Sequence, residues 1–296
     1  MHRLAPDLTT LHTRLLDWYA AASRPLPWRH PETSAWEVFL SEVMSQQTPV
    51  TRVEPIWRQW VERWPTPAAL AAASPGEVVR AWARLGYPRR ALRLHEAASA
   101  MVERHGGQVP STVEELLALP GVGDYTAAAV ACFAFGLPAP VIDTNVRRVL
   151  VRTLDGGAQA APSLNRAERE LALAAMPPET DAANVWNVAT MELGALVCTA
   201  RSPRCGECPV ADLCAWQLAG RPAYDGPVRR TQSWEGTDRQ ARGALLSVLR
   251  EASGPVTGER LAQAWPADQQ RMRCLDSLVA DGLVEPLQDG THRLPA

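Results

Sequence analysis

The sequence predicts an all-α main body followed by a small winged-helix-like α/β module. Amphipathic helical patterns, separated by short connections that contain proline and glycine, run through the first 216 residues, and the alternation typical of strands is nearly absent there. After Cys214 the composition becomes polar and rich in proline and glycine, and three more helical patterns and a hairpin pattern follow. With 296 residues, of which 46% are hydrophobic, the chain can bury one large core or two moderate ones.

The helical patterns of the main body follow one another closely. The first, DLTTLHTRLLDWYAAA, carries Leu8, Leu11, Leu15 and Tyr19 on one stripe. The next, SAWEVFLSEVMSQQT, begins with the residues of a capping box. Further helices are predicted in VEPIWRQWVERW, PGEVVRAWARLG, RRALRLHEAASAMVERHG and VEELLALP.

The C-terminal part of the chain predicts a linker and a separate module. Residues 217–236 are typical of a linker, and residues 237–296 contain helical patterns in ARGALLSVLREA, GERLAQAW and QQRMRCLDSLVADG. The segment LVEPLQDGTHRLP predicts a hairpin that turns at Asp289-Gly290. Three helices and a hairpin are the components of a winged helix.

Charge and composition exclude several classes of function. The net charge is −2, so a binding site for a polyanion must be a local patch. All 30 basic side chains are arginine, which excludes a lysine nucleophile or Schiff base. No apolar stretch is long enough to cross a membrane, and MHRLAPDLTT lacks the pattern of a secretion signal. We therefore expect a cytoplasmic protein with no membrane partner.

Four of the six cysteines form the pattern C-x6-C-x2-C-x5-C, which predicts a metal site. Structural zinc sites usually consist of two close pairs, whereas here one close pair is flanked by wider steps, so the spacing favours an iron–sulfur cluster over zinc. Cys132 and Cys274 lie in apolar helical patterns and are interpreted as buried packing residues. The four candidate ligands are Cys198, Cys205, Cys208 and Cys214.

The segment LPGVGDYTAAAV lies between two predicted helices and has the order of a helix–hairpin–helix. Gly121 and Gly123 would let backbone N–H groups point at a phosphate beside the start of the second helix. A plain turn between two helices is the alternative interpretation. Two groups of arginines add basic character: Arg147, Arg148 and Arg152 in VIDTNVRRVLVR, and Arg89, Arg90 and Arg93 after LGYP.

Two carboxyl groups are candidates for chemistry. Glu42 has apolar neighbours on its predicted helix, which would favour a protonated acid, although it could also lie at the edge of an amphipathic helix. Asp143 follows the apolar run PAPVI and precedes a helix, where it could serve simply as an N-cap. One protonated acid and one carboxylate are what cleavage of a glycosidic bond requires.

The motifs LPWR, SEVMSQQT, LGYP, LPGVGDYTAAAV, VIDTNVRRVL and the four-cysteine pattern occur in this order over about residues 8 to 216. In this combination the chain resembles the MutY-type adenine DNA glycosylases of the endonuclease III superfamily. The resemblance implies an endonuclease III-like fold with two helical lobes. Residues 1–30 and 136–216 would form a lobe that holds a [4Fe–4S] cluster, and residues 31–135 a barrel lobe with the helix–hairpin–helix.

The resemblance also implies roles for individual residues. Glu42 would protonate adenine, Asp143 would stabilise the oxocarbenium-like sugar, and Asn145 would position Asp143. The implied DNA-binding residues are Gln47 and Tyr87, which enter the base stack, and Gly121 and Gly123, which bind the backbone. Arg147 is a further DNA-binding candidate because of the basic character of its helix. The implied partner is double-stranded DNA with an A·8-oxoguanine or A·G mispair, at the nucleoid in the bacterial cytoplasm. We expect a monomer, because a duplex site is asymmetric when only one strand is repaired.

Tyr125 separates this chain from bifunctional members of the superfamily. Those relatives have a lysine at the matching place, and this chain has none anywhere. The resemblance therefore implies a monofunctional glycosylase that uses water, with Tyr125 in its catalytic site. Tyrosine also occurs there in thymine-mismatch glycosylases, so a thymine or uracil glycosylase is the alternative, and Glu42 favours adenine. A non-catalytic iron–sulfur DNA-binding protein would leave Glu42 and Asp143 without a role.

Three features depart from the family pattern. Ser45 stands where a large apolar residue is common, and Pro88 replaces the second tyrosine of Gly-Tyr-Tyr. The C-terminal domain related to nucleotide-diphosphate hydrolases, which recognises 8-oxoguanine, is not visible after the linker. We therefore expect weaker discrimination of 8-oxoguanine, or discrimination by the winged-helix-like module.

Overall fold

The computed structural model describes residues 7–226 and 234–296, so the middle of the predicted linker lies outside the described residues. Packing divides the chain into a first unit, Met1–Ala35, Ser111–Glu114 and Gly123–Pro227, and a second unit, Trp36–Pro110, Glu115–Val122 and Val228–Ala296. The residues 124–135 that sequence analysis assigns to the barrel lobe group with the first unit, because their alanine-rich helix packs beside Val141.

The described residues are mostly helical. In chain order the helices are α1 (Leu8–Ala22), α2 (Ala35–Ser45), α3 (Val50–Arg63), α4 (Pro67–Ala71), α5 (Pro75–Ala81), α6 (Arg89–His105), α7 (Val113–Leu117), α8 (Asp124–Phe135), α9 (Thr144–Leu150), α10 (Arg166–Ala174), α11 (Thr180–Leu196), α12 (Ala215–Leu218), α13 (Asp238–Glu251), α14 (Gly258–Ala264) and α15 (Asp268–Ala280). A π-helical turn, Val151–Asp155, continues α9. Two short strands, β1 (Glu285–Pro286) and β2 (His292–Arg293), complete the chain.

Helices α1, α9 and α11 build the core of the first unit. Leu11 and Leu15 lie on the buried stripe of α1 and are each 1% exposed. Asp7 caps α1, because its carboxylate accepts hydrogen bonds from the backbone N–H groups of Thr9 and Thr10. The predicted N-terminal helix is confirmed.

One buried ion cluster links α11 to the segment after α1. The side chain of Glu192 is fully buried and accepts hydrogen bonds from Arg24 and Arg29 at 2.7–2.9 Å. Burial alone would raise the pKa of Glu192, but the hydrogen bonds and charges of the two arginines outweigh it and lower the pKa to about 2. The cluster therefore contributes to stability only while Glu192 is ionised.

The second unit has a core rich in tryptophan. The Trp60 ring centroid lies 4.8 Å from that of Trp64 and 5.6 Å from that of Trp82, both in edge-to-face contacts. The indole N–H groups of Trp60 and Trp82 donate to the backbone carbonyls of Ala81 and Gly86. These bonds satisfy the one polar group that each ring carries into the core.

Helix α5 is shorter than its sequence pattern predicts. The pattern PGEVVRAWARLG extends to Gly86, whereas α5 ends at Ala81. Ala83 adopts a left-handed backbone with φ of 48°, and Gly86 has φ of 80°, so the chain cannot continue as a helix. The prediction is wrong beyond Ala81, because the contacts that hold this turn come from segments distant in the sequence.

Three helices and a hairpin form the C-terminal module, as predicted. Strands β1 and β2 pair antiparallel, with Glu285 opposite Arg293, and Val256 bridges to His292. The predicted turn at Asp289-Gly290 is confirmed, with Gly290 at φ of 79°. The module's buried core includes Val79 of α5, so the module packs directly on the second unit's helical body.

Within residues 7–226 and 234–296, no helix has both the length and the apolar character needed to span a membrane.

Replacement of Glu192 by glutamine is expected to destabilise the protein by roughly 2 kcal/mol at pH 7, because it leaves two arginines beside a neutral buried group. The depressed pKa contributes stability that is present above the unfolded-state pKa and is lost as pH falls towards about 2. The Glu192→Gln protein should therefore show a smaller loss of stability on acidification.

Urea unfolding of wild type and Glu192→Gln between neutral and acid pH measures both effects. Glu170→Gln, which removes a carboxylate from an exposed pair with Arg166, is the matched control. Equal unfolding midpoints for the two variants at pH 7 would contradict the assignment.

Candidate active site and DNA-binding surface

Glu42 lies in the buried part of α2. It is 8% exposed, and the residues on either side of it from Val38 to Met44 are all buried. The apolar setting predicted from the sequence is confirmed. A carboxyl group in such a setting is more easily kept protonated than one in water.

Asp143 is the N-cap of α9. Its Oδ1 accepts a hydrogen bond from the backbone N–H of Val146 at 2.6 Å, and its Oδ2 accepts one from Asn145 Nδ2 at 2.7 Å. Burial raises the pKa of Asp143, while these two hydrogen bonds act in the opposite direction by stabilising the carboxylate. Asp143 is therefore held in one orientation by its own helix and by Asn145.

The chain that leads into Asp143 is fixed by a buried amide. Asn187 on α11 is 3% exposed; its Oδ1 accepts from Val141 N–H at 3.0 Å and its Nδ2 donates to Ala139 O at 2.9 Å. Tyr125 of α8 packs against the same small cluster that contains Val141. Sequence analysis missed Asn187, although an amide between the apolar residues Trp186 and Val188 of α11 was a usable signal.

Asn145 connects Asp143 to the four-cysteine loop, residues 198–214. Arg148 donates from Nη2 to Asn145 Oδ1 at 2.7 Å and from Nε to the backbone carbonyl of Cys198 at 2.6 Å. Gly194 allows this approach, because a Cβ there would lie 2.6 Å from the Cβ of Asn145. Asp143, Asn145, Arg148 and the loop therefore form one hydrogen-bonded series.

The structure corrects the interpretation of Arg147 as a DNA-binding residue. Arg147 is 8% exposed, and its guanidinium donates from Nε to Glu168 at 2.6 Å and from Nη2 to Ala161 O at 2.8 Å. A phosphate contact would require this buried ion pair to break, which is strongly unfavourable. The sequence pattern was ambiguous, because adjacent arginines on a short helix point in different directions.

The four-cysteine loop surrounds a recess lined by all four cysteines. Arg152 Nη1 donates to Cys198 Sγ at 3.3 Å, and its guanidinium lies 4.7 Å from the Trp216 ring centroid. Burial raises the pKa of Cys208 to about 11, and a bound iron–sulfur cluster would supply positive charge that favours the thiolate there. Cys132 and Cys274 are buried packing residues, as predicted.

Donor chemistry at the recess fits an iron–sulfur cluster. The lining supplies four sulfur ligands and an arginine that donates to sulfur, and hydrogen bonds to sulfur are a usual means of tuning such clusters. In the part of the chain that the structure describes, no three His, Cys, Asp or Glu side chains form a site for a single metal ion.

Gln47 and Tyr87 both adopt left-handed backbone conformations, with φ of 53° and 46°. Such conformations cost non-glycine residues about 1–3 kcal/mol each and tend to occur at functional sites. Both side chains are accessible, and Tyr87 is 45% exposed. The two residues predicted to enter the DNA stack are thus presented on strained turns of the second unit.

Arg90 holds both turns, which sequence analysis did not foresee. Its Nη1 donates to the carbonyls of Val43, Met44 and Gln46 at 2.7–3.1 Å. Its Nη2 lies 3.0–3.2 Å from Thr48 Oγ1 and from the carbonyls of the turn before Tyr87, at Leu85 and Gly86. Burial lowers the pKa of Arg90 to about 10, so the side chain remains charged at pH 7.

The two glycines of the predicted hairpin occupy positions with different structural requirements. Gly121 has φ of 75°, and a Cβ there would lie 2.6 Å from the Cβ of Arg93, so only glycine fits. Gly123 is the N-cap of α8 and has no side chain to cap that helix. Asp124 in the first turn of α8 pairs with Arg169 at 2.8 Å. The helix–turn–helix order predicted from the sequence is confirmed by α7 and α8.

Comparisons with known proteins place the chain in a family. Residues 40–173 match the HhH-GPD superfamily of base excision DNA repair proteins, and residues 198–214 match the iron–sulfur binding domain of endonuclease III. The chain is 54% identical over 285 residues to an adenine DNA glycosylase of Mycobacterium tuberculosis, covering 96% of this chain and 93% of that protein. It is 55% identical over 282 residues to an adenine DNA glycosylase of Mycolicibacterium smegmatis, covering 95% and 94%.

A solved structure of a thermostable thymine-DNA glycosylase has the same fold. It superimposes with a TM-score of 0.64 at 28% identity, over 72% of this chain and 97% of that one. The expected endonuclease III-like fold and the [4Fe–4S] cofactor are confirmed by these matches. The chain belongs to the adenine DNA glycosylases of the HhH-GPD superfamily.

Proposed function

We propose that the protein removes adenine paired with 8-oxoguanine or guanine from double-stranded DNA, using water and leaving the strand intact. The observation that carries this proposal is the presence of two held carboxyl groups, Glu42 buried within α2 and Asp143 fixed as the N-cap of α9. Because repair of one strand makes the DNA site asymmetric, we propose a monomer, acting at the nucleoid in the bacterial cytoplasm.

Glu42 is proposed as the general acid. Adenine leaves the sugar readily only when one of its ring nitrogens is protonated, and a buried carboxyl group can keep a proton for that step. Excision of thymine does not call for protonation of a ring nitrogen in this way. Burial of Glu42 therefore favours adenine as the base that is removed.

Asp143 is proposed as the carboxylate that stabilises positive charge on the sugar. Burial raises the pKa of Asp143, and the bonds from Val146 N–H and Asn145 Nδ2 oppose that effect and fix the direction of the carboxyl group. Arg148 in turn fixes Asn145 through a bond of 2.7 Å. In a chain without lysine, Tyr125 cannot form a Schiff base with the sugar, so water completes the reaction.

The remaining roles concern DNA and the cluster. Gln47 and Tyr87 are proposed to fill the space left when adenine is flipped out of the stack, and the backbone at Gly121 and Gly123 to bind phosphate. The four cysteines are proposed to hold the [4Fe–4S] cluster, which when bound cross-links residues 198–214 through iron–thiolate bonds. Arg147 is left out because its guanidinium is engaged with Glu168.

Base specificity and reaction type can be tested on labelled duplexes with a single A·8-oxoguanine, A·G, T·G or U·G pair. We expect strand breaks only at the adenine mispairs, and only after treatment with hot alkali, because base removal leaves an alkali-labile site and no lysine is present to nick the strand. Breaks at T·G or U·G alone would establish the thymine or uracil glycosylase instead. Tight binding without any break would establish a binding protein.

Replacement of Glu42 by glutamine is expected to lower the single-turnover rate of adenine excision at least about a hundredfold, because the amide cannot donate the required proton. Binding to the same duplex should remain close to wild type. Glu54→Gln, which changes an exposed glutamate of α3 paired with Arg58, is the control and should excise adenine normally. Near-normal excision by Glu42→Gln would remove Glu42 from the proposed mechanism.

A further inference from the structure

The C-terminal module makes direct polar contacts with the turn that precedes Tyr87. Arg250 of α13 donates from Nε to Val79 O at 3.0 Å and from Nη1 to Ala83 O at 2.5 Å. Burial lowers the pKa of Arg250 to about 10, which leaves it charged at pH 7. The carbonyl of Ala83, whose own backbone is left-handed, is thus held by a residue of the module.

Close packing supplements these contacts. A Cβ on Gly76, in the first turn of α5, would lie 2.3 Å from Pro295 O, so the end of the chain rests directly on this helix. Arg80 donates to Ala252 O at 3.2 Å, and Arg89 lies 3.3 Å from Asp281. The module is therefore anchored on both sides of the 83–87 turn, at α5 and at the start of α6.

The module also reaches the Tyr87 side chain. The guanidinium of Arg239, in the first turn of α13, lies 4.7 Å from the Tyr87 ring centroid and 5.9 Å from that of Trp234. Trp234 is 56% exposed and Tyr87 is 45% exposed. In the described ranges, no acidic side chain forms an ion pair with Arg239. A cation between two exposed rings is suited to a nucleic-acid surface, where bases stack on rings and phosphates attract cations.

We propose that Arg239 of the C-terminal module positions Tyr87 for entry into DNA, so that the module is a working part of the DNA-binding surface. This inference rests on the proposed role of Tyr87. The Tyr87 ring is contacted by two guanidinium groups, that of Arg239 on the module at 4.7 Å and that of Arg90 at 5.6 Å from its centroid. The backbone N–H of Arg90 also donates to the Tyr87 carbonyl, so the orientation of the ring is set before DNA binds. Arg239 is a positioning residue, and its effect on DNA passes through Tyr87.

The test is a double-mutant cycle on DNA binding with Arg239→Ala and Tyr87→Ala. The probe is a fluorescent duplex with 2′-fluoro-2′-deoxyadenosine opposite 8-oxoguanine, because the fluorine resists glycosidic cleavage and only binding is measured. Arg239→Ala alone should weaken binding about two- to fivefold, the range expected from one exposed cation–π contact. In the Tyr87→Ala background the same change should have no further effect.

Two further variants complete the experiment. Arg260→Ala removes an exposed arginine from α14 of the same module and should bind as wild type. Arg239→Lys keeps the cation and should recover most of the affinity. Losses that multiply in the double variant, or an Arg239→Ala protein that binds as tightly as Arg260→Ala, would overturn the proposal.

Because the measurement is binding, it is independent of which base is excised. If the wild-type protein fails to excise adenine, the proposed function fails, and the coupling between Arg239 and Tyr87 is still measured. Unfolding midpoints of all variants, taken in urea, show whether a loss of binding follows from a loss of folding. The proposal would be overturned if only Arg239→Ala had a reduced unfolding midpoint and if the losses of affinity from Arg239→Ala and Tyr87→Ala were independent. Arg239 would then have a structural role and would not position Tyr87.

Discussion

The interaction on which the DNA-binding surface depends is the set of hydrogen bonds made by the half-buried guanidinium of Arg90. One planar cation binds acceptors from two separate turns, the one at Gln47 and the one at Tyr87. Each of these residues has a left-handed backbone that costs about 1–3 kcal/mol, and fixed hydrogen bonds of a charged donor can offset that cost. Before DNA binds, Arg90 therefore holds in position Gln47 and Tyr87, the residues that are proposed to fill the space of the flipped base.

In the first unit, hydrogen bonds hold the carboxyl group of Asp143 in a comparable way. Asp143 is fixed by its own helix and by Asn145, and Arg148 ties Asn145 to the carbonyl of Cys198. A change in the conformation of the four-cysteine loop would therefore alter the position of the Asp143 carboxyl group, through Arg148 and Asn145. Glu42 lies among buried residues of α2, which is the setting that its proposed role requires. The contrast between the two carboxyl groups comes from their different settings.

Local signals in the sequence predicted most of the helices, the hairpin at Asp289-Gly290, the cysteine loop and the burial of Glu42. The binding partners of the arginines could not be predicted from the sequence, because a long arginine side chain can extend into solvent or turn back to backbone carbonyls, and the sequence pattern is the same in both cases. Arg90 and Arg147 thus proved to be engaged with the protein. Hydrophobic periodicity indicates local structure only. It could not predict that α5 ends at Ala81 or that the module docks there, because both depend on contacts between segments distant in the sequence.

The most direct test of this account is the affinity of an Arg90→Lys protein for the duplex with 2′-fluoro-2′-deoxyadenosine opposite 8-oxoguanine. Lysine keeps the charge, but its compact ammonium cannot bind both turns, so affinity should fall at least about tenfold while the protein remains folded at 25 °C. Arg104→Lys, in the last turn of α6, should bind as wild type. Wild-type affinity in a folded Arg90→Lys protein would contradict the account.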